Sequence, residues 1–343
     1  MRRVNFVAML AGAFLMGGAV QAGAQDYKWS YFGELPTSHD YMKMVQKTLD
    51  RINERTDGRL KITFSYYGET PYKVTDSLTL VRNGLADVTA WLPAYSAGTF
   101  PMLAGPELPF ILPGLPDVSK GQNLSDKAWQ TPVVSATVKT ILSNHNATEL
   151  GSYYYEPMNL WFTSKIDGHP DMSGKKIRVF SPELAAAISK LGGEPVNIDT
   201  TEVYTSLQRQ VINGMVTGIG SVTGQKLSEV LKSGYKTNLM YTSAKIVVNS
   251  KKMEQLPDDL KKISTEEFAK LCEDIRAYMP QSVQQKEKTL TDSGMTIIAA
   301  TESDYNAMRD VAQGSVWPEW TKRAGKDSPE ALKQIEAAVA SGE

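Results

Sequence analysis

The sequence predicts an α/β fold made of two lobes with similar architecture. Strand and helix patterns alternate from residue 27 to residue 92, and the alternation restarts at Lys175. In both stretches an Asn-Gly pair, Asn83-Gly84 and Asn213-Gly214, ends a helix directly before a strand. A chance match between two common helix caps is the alternative to a repeated lobe.

Length and charge restrict the function classes. The chain has 343 residues, which is about two domains at roughly 150 residues each. Lys plus Arg total 37 and Asp plus Glu total 38, so we expect no broad basic surface for nucleic acid or anionic lipid. One cysteine excludes an intramolecular disulfide and a cysteine-based zinc site, and three histidines leave little material for a histidine-rich metal site.

Residues 1–24 are predicted to form a cleaved signal peptide. Arg2 and Arg3 precede an apolar run from Phe6 to Val20, and small residues stand at Ala22 and Ala24. The run is shorter than the ~20 apolar residues that a spanning helix needs, which disfavours a membrane anchor. The pattern predicts export to a bacterial periplasm.

The first lobe is predicted from alternating strand and helix patterns. Strands are expected over 27–32, 60–64 and 87–92, and helices over 41–52, with Ser38 as N-cap, and near 74–84. The proline-rich stretch 101–116 excludes a regular helix or central strand, but its apolar residues predict a packed loop. A helix near 132–144 and a strand over 150–155 follow.

The second lobe is predicted from a similar series. Strands are expected over 175–180, near 195–198 and over 215–221, with helices over 182–191 and 201–212. Residues 241–249 predict another strand. A polar helix is expected from Pro257 to about Leu290, with a kink at Pro280. Further helices are expected over 303–341, with Trp317 and Trp320 buried.

The motifs of common enzyme classes do not occur. The chain has no Gly-x-Gly-x-x-Gly, phosphate-loop, Gly-x-Ser-x-Gly or His-Glu-x-x-His sequence. His39 is expected at the surface, in the first turn of a helix, rather than as a catalytic base. Cys272 is expected to be an inert, partly buried thiol. We therefore expect no cofactor, no metal site and no catalysis.

Arg178 is the strongest candidate for a binding residue. It lies near the carboxyl end of the strand 175–180, and Ser181-Pro182 begin a helix as N-cap and first helical residue. Ligands of open α/β sheets bind at the carboxyl ends of strands. A guanidinium there, beside a helix N-terminus, suits a carboxylate. An exposed arginine paired with a nearby acid is the alternative.

Several motifs together resemble one family. These are Gly33 to His39, Val81 to Thr89, Glu107-Leu-Pro-Phe, Gly174-Lys-Lys-Ile-Arg-Val, Leu191-Gly-Gly-Glu-Pro-Val, Glu202 to Gln208 and Val247 to Lys252. They resemble the solute-binding proteins of TRAP (tripartite ATP-independent periplasmic) transporters, the DctP-like family. The resemblance implies two α/β lobes with crossing strands and a long helix packed along both. It also implies that Arg178 binds a substrate carboxylate.

The chain departs from the family pattern at several binding positions. Where many members have a second arginine, alignment places Asn159, and where many have asparagine it places Thr217. The polar position after the family's arginine falls on Ser181. The segment where some members carry a first-lobe acid reads Ala90-Trp91-Leu92. The resemblance therefore predicts one carboxylate clamp in a less charged, more aromatic pocket.

The remaining predicted site residues are Trp91, Tyr95, Tyr155 and Thr200. Ordinary core positions are the alternative for each aromatic residue, including Trp161. Alternation along 153–155 sends Tyr154 to the face opposite Tyr153 and Tyr155. Glu156 is expected either to contact a ligand or to lie at the surface.

The sequence thus predicts a periplasmic receptor for a small organic acid, with a monocarboxylate favoured. Its expected partners are the organic anion and the TRAP membrane permease subunits, without nucleic acid. Lobe I is expected over 25–150 plus roughly 244–275, and lobe II over 151–243 plus roughly 276–343. The alternatives are a receptor for an ATP-driven transporter or a sensor kinase, and a secreted α/β enzyme.

Overall fold

The computed structural model describes residues 26–114 and 117–342, so the predicted signal peptide lies outside the described residues. The strands, in chain order, are β1 Tyr27–Gly33, β2 Leu60–Tyr66, β3 Val88–Trp91, β4 Ala147–Tyr154, β5 Met158–Phe162, β6 Lys176–Val179, β7 Glu194–Asn197, β8 Gly214–Thr217, β9 Ser233–Met240, β10 Ser243–Asn249 and β11 Thr296–Ala299.

Helices connect and cover the strands. They are α1 Asp40–Arg55, α2 Ser77–Arg82, α3 Pro93–Ser96, α4 Val118–Trp129, α5 Pro132–Asn144, α6 Pro182–Lys190, α7 Val203–Gln208, α8 Ile219–Gly224, α9 Ser250–Glu254, α10 Asp258–Asp292, α11 Glu302–Val311, α12 Trp317–Ala324 and α13 Ser328–Ala340. Within the described ranges, no helix combines the length and the apolar composition that membrane crossing requires.

The first sheet has five strands in the order β2-β1-β3-β10-β4. β1 runs parallel to β2 and β3, whereas β10 runs antiparallel to β3 and β4. Tyr31 and Val88 face each other on neighbouring strands and are both fully buried. Helices on both faces require such apolar strands, so this sheet is the interior of the first lobe.

The second sheet has six strands in the order β11-β9-β5-β8-β6-β7. β6 is parallel to β7 and β8, and β5 is antiparallel to β8 and β9. Each sheet therefore contains an antiparallel strand that arrives from the other lobe, β10 in the first and β5 in the second. The expected crossing strands and the two-lobed α/β fold are confirmed.

Two short segments carry the chain between the sheets. Residues 155–157 join β4 to β5, and residues 241–242 join β9 to β10. The two segments are hydrogen-bonded to each other, since the Tyr155 amide donates to the Thr242 carbonyl oxygen at 2.9 Å. The long helix α10 packs against β4 of the first sheet and α8 and β11 of the second, as expected.

The predicted lobe boundaries stay a prediction, and the strand pairing suggests a refinement of them. The predicted boundary after residue 150 falls inside β4, which pairs with β10 as far as Tyr154. The carboxyl-terminal helices, expected in the second lobe, also pack on first-lobe elements. Trp320 donates its indole N–H to the Pro101 carbonyl at 2.7 Å, and Gln334 accepts from the Val133 amide at 3.2 Å. We propose boundaries at the two crossing segments instead, because backbone pairing defines each sheet there.

Several predicted elements need correction. The N-cap of α1 is His39 rather than Ser38, because the ring nitrogen of His39 accepts from the Tyr41 amide. The strand expected over 215–221 ends at Thr217, where Gly218 starts α8. Residues 101–114 of the proline-rich stretch are largely buried, but they begin with a 3-10 helix, Pro101–Glu107, rather than a loop.

Beside the crossing segments lies an interior ion cluster of Asp40, Glu156 and Lys286. Lys286 Nζ, on α10, is 3.0 Å from Asp40 Oδ2 and 3.5 Å from Glu156 Oε1. Glu156 is fully buried, which corrects the expected alternative of a surface carboxylate. Burial raises the pKa of Glu156, and the Lys286 charge opposes that rise. The cluster ties α1, α10 and the first crossing segment together.

We expect Lys286→Ala to lower the free energy of unfolding by roughly 3–5 kcal/mol, because it leaves the Glu156 carboxylate buried without its cation. Lys288→Ala is the matched control, since Lys288 pairs with Asp292 on the exposed face of the same helix and should cost less than about 1 kcal/mol. Urea denaturation measures both. Equal losses in the two variants would show that the cluster contributes nothing.

Candidate functional site

A cavity between the two lobes lies at the carboxyl ends of strands from both sheets. We call it the inter-lobe cavity, and its lining residues are Glu34, Leu35, Leu92, Tyr95, Tyr155, Met158, Arg178, Phe180, Thr200, Thr217, Ser221 and Thr242. Leu35 and Leu92 follow β1 and β3 of the first sheet, Phe180 directly follows β6 of the second, and Thr217 ends β8. This is where open α/β sheets bind ligands.

Arg178 is the cation of the inter-lobe cavity. Its side chain is only 2% exposed. Nε donates to the Ile198 carbonyl at 2.9 Å, and Nη2 donates to the Tyr95 hydroxyl at 2.9 Å. Nη1 makes a longer contact of 3.5 Å with the Val216 carbonyl. All these acceptors are neutral, so the residues that the structure describes hold the guanidinium in place without balancing its charge.

The two lobes touch across the inter-lobe cavity. The Tyr95 ring, from the first lobe, stacks on the Phe180 ring of the second, with centroids 5.2 Å apart. Further along the interface, the Ser38 hydroxyl donates to the Gly224 carbonyl at 2.6 Å. The Tyr95–Arg178 hydrogen bond also joins the lobes. The structure is therefore a closed form, in which residues of both lobes line the cavity.

Five of the predicted site residues meet in this cavity: Arg178, Tyr95, Tyr155, Thr200 and Thr217. The tyrosines of 153–155 alternate as predicted. Tyr153 and Tyr155 direct their hydroxyls to Glu34, whereas Tyr154 donates to Asp126 at 2.9 Å, away from the cavity.

Three predicted site residues are not brought to the inter-lobe cavity. Ser181 caps α6 by accepting from the Leu184 amide at 3.2 Å, which is the capping role predicted for it. Trp91 is core and donates to the Ser96 hydroxyl at 2.9 Å. Asn159 is occupied by backbone, because its Oδ1 accepts from two successive amides of β9, each at 2.8 Å.

Asn159 lines a different, larger cavity of about 560 Å³ together with Trp161. That cavity lies beside α10, and two of its lining residues, Lys236 and Glu287, form an ion pair with each other at 2.8 Å. Its cation is therefore already neutralised, unlike Arg178. Consecutive residues of β5 face opposite sides of the sheet, so Met158 lines the inter-lobe cavity and Asn159 lines the larger one.

Sequence reasoning missed Glu34 and Phe180. Glu34 follows directly after β1, so the rule that ligands bind at carboxyl ends of strands would have found it. Phe180 shares a strand face with Arg178 by simple alternation. The segment 90–92 has no acid, as the sequence shows, but Glu34, after β1, places a first-lobe acid in the cavity.

Glu34 is the acid of the inter-lobe cavity. Its side chain is 1% exposed, and its Oε1 accepts from the Tyr153 hydroxyl at 3.2 Å and from the Tyr155 hydroxyl. Burial raises the pKa of Glu34, and the two tyrosine hydrogen bonds oppose that rise. The cavity thus holds one cation and one carboxyl group, contributed by opposite lobes.

His39 and Cys272 lie outside the inter-lobe cavity. His39 is fully buried, which corrects its predicted surface position. Burial, with a smaller contribution from the Lys286 charge, lowers its pKa to about 3. Cys272 is buried on α10, and burial raises its pKa to about 12, which keeps the thiol protonated. Among residues 26–114 and 117–342 no group of three or more His, Cys, Asp or Glu side chains is arranged to hold a metal.

Comparison with known proteins shows which family the chain resembles. A family profile described as bacterial extracellular solute-binding protein, family 7 (DctP), matches residues 32–323. The 2,3-diketo-L-gulonate-binding periplasmic protein YiaO of Escherichia coli is 23% identical over 98% of this chain and 99% of its own. The C4-dicarboxylate-binding periplasmic protein DctP of Vibrio cholerae is 27% identical over 50% of each chain.

A solved structure has the same fold. The extracytoplasmic solute receptor DctP6 of Bordetella pertussis, which binds pyroglutamic acid, superposes with a TM-score of 0.79 and 21% identity. The match covers 92% of this chain and 99% of that one.

Two lobes that close on a buried cavity define a solute-binding protein. Since the family profile matches most of the chain, the protein belongs to the DctP family of periplasmic TRAP solute-binding proteins. Members of this family are receptors and not catalysts, which confirms the expectation from the absence of enzyme motifs.

We expect acid to destabilise the protein through His39. Its folded pKa of about 3 lies below the roughly 6.5 of an unfolded histidine, so the unfolded state binds more protons between these values. The His39 contribution is complete above pH ~6.5 and is lost by about 1.4 kcal/mol per pH unit as the pH falls towards 3. His39→Asn keeps an N-cap acceptor but removes the titration. Denaturation between pH 4 and 7 should therefore give a shallower pH slope for the variant, and parallel slopes would refute the assignment.

Proposed function

We propose that this receptor binds a small organic monocarboxylate in the inter-lobe cavity and delivers it to the membrane permease subunits of a TRAP transporter. The observation that carries the proposal is the buried Arg178 guanidinium, whose hydrogen bonds go only to neutral oxygens among the described residues. A buried charge is costly unless it is paired. A ligand carboxylate supplies the missing charge.

Arg178 is the proposed carboxylate clamp. A guanidinium binds a carboxylate with two parallel charge-assisted hydrogen bonds, which fix orientation as well as affinity. The Ile198 carbonyl and the Tyr95 hydroxyl hold its plane before the ligand arrives. Thr200, Thr217 and Ser221 line the same cavity and supply hydroxyls for the polar atoms of the ligand.

Tyr95 and Phe180 are proposed to couple binding to closure. Their rings stack between the lobes, and the Tyr95 hydroxyl also accepts a hydrogen bond from Arg178. A ligand held by Arg178 beneath this pair contacts both lobes, so binding favours the closed form by differential contacts. Family membership supports the permease partners, because TRAP receptors deliver their solutes to such subunits.

We expect Arg178→Ala and Arg178→Lys to weaken binding of the carboxylate by roughly 2–5 kcal/mol, because truncation removes a buried charge partner and lysine lacks the forked geometry. Calorimetry on the mature chain measures this. Arg209→Ala is the control, since Arg209 is exposed and lies outside the inter-lobe cavity. An affinity within twofold of wild type for either Arg178 variant would remove Arg178 from the site.

We expect monocarboxylates to stabilise the protein more than matched dicarboxylates. The inter-lobe cavity has one cation, and its other charged group is Glu34, which repels a second carboxylate. Lys245, another candidate cation, pairs instead with Glu149 at 3.1 Å. A thermal-shift comparison of butyrate with succinate, which differ in the second carboxylate, tests this. A larger shift with succinate would favour the dicarboxylates bound by the Vibrio relative.

A further inference from the structure

Glu34 leaves one of its two oxygens without a partner. Oε1 accepts from the Tyr153 and Tyr155 hydroxyls, whereas Oε2 is buried and has no hydrogen-bond partner among the described residues. Buried polar atoms are nearly always hydrogen-bonded, because an unpaired one costs free energy. Since Glu34 lines the inter-lobe cavity, a bound ligand is in position to supply the missing partner.

We propose that Glu34 is a specificity residue that accepts a hydrogen bond from an N–H or O–H group of the ligand. The receptor then selects monocarboxylates that carry such a donor, for example a lactam N–H or a hydroxyl, in addition to the carboxylate that Arg178 holds. This inference rests on the proposed function, because it assumes that Arg178 holds the carboxylate in the same cavity.

The tyrosines favour a donor on the ligand over an acceptor. Burial raises the pKa of Glu34, and the two hydroxyls that donate to Oε1 oppose that rise by stabilising the ionised carboxylate. An ionised carboxylate has only acceptor sites. In this ionised form, the group that meets Oε2 donates.

Arg178 and Glu34 have separate hydrogen-bond partners. Arg178 bonds to the Ile198 and Val216 carbonyls and to Tyr95, and Glu34 bonds to Tyr153 and Tyr155. In the described residues these two sets share no member, and Glu34 is not a partner of Arg178. A ligand therefore does not have to break an internal ion pair to bind, and each of the two residues can recognise one ligand group.

The same geometry predicts that the receptor rejects ligands that lack a hydrogen-bond donor. A ligand that fits the cavity but lacks the donor leaves Oε2 unpaired when the lobes close. Sites built around a hydrogen bond discriminate strongly against analogues that lack it, whereas sites that read shape alone do not. The carboxylate clamp cannot provide this selection, since all monocarboxylates present the same group to Arg178.

Calorimetry with two matched ligand pairs tests the proposal. L-pyroglutamate is compared with its N-methyl derivative, and lactate with 2-methoxypropionate, so that each pair differs by a donor. We expect the wild type to bind at least one donor-bearing member at least about tenfold more tightly than its partner. Ratios within twofold for both pairs would overturn the proposal, and this comparison requires no variant.

Glu34→Gln shows whether Glu34 causes the preference. Glutamine keeps the shape but removes the ionised acceptor, so we expect the ligand ratio to fall by about tenfold. Glu54→Gln, at an exposed position of the same lobe, should leave the ratio unchanged. A ratio kept in folded Glu34→Gln would assign the preference to another group. If no carboxylate binds the wild type, or Arg178→Ala binds normally, the proposed function itself fails.

Discussion

The architecture of the site depends on one buried guanidinium whose charge the described residues do not balance. Arg178 is held in a fixed plane by the Ile198 carbonyl and by Tyr95 from the opposite lobe. An unpaired buried charge is unfavourable in a closed protein. An anion that enters the cavity removes this penalty and bridges the lobes at once. In the proposed function, closure and carboxylate recognition therefore have the same physical origin.

Much of the fold was accessible from sequence periodicity. The strand–helix alternation, the long polar helix α10 and the buried Trp317 and Trp320 all follow from local patterns. The lobe boundaries were not accessible in this way. β4 and β10 pair over nearly a hundred intervening residues, and no local pattern states which sheet a strand will join. The packing of α13 on first-lobe helices is likewise determined by tertiary contacts, which local sequence patterns do not predict.

The residues of the site could likewise be predicted from the sequence only in part. Arg178, Tyr95 and Thr217 stand at strand ends or just beyond them, and strand-end reasoning or family resemblance finds such residues. Asn159 was misplaced because a shift of one residue along a strand reverses the face. His39 was misjudged because its burial comes from the other lobe, where Gly224 packs so closely that a Cβ would lie 2.7 Å from the imidazole. Burial by a segment distant in the chain cannot be predicted from the local sequence.

The most direct test of this account is a crystal structure of the mature protein with the carboxylate that most raises its melting temperature. The account predicts both carboxylate oxygens within roughly 2.7–2.9 Å of the Arg178 guanidinium, in the cavity closed by Tyr95 and Phe180. A ligand carboxylate bound elsewhere, for example beside Lys236 in the larger cavity, with Arg178 still bonded only to protein oxygens, would contradict it.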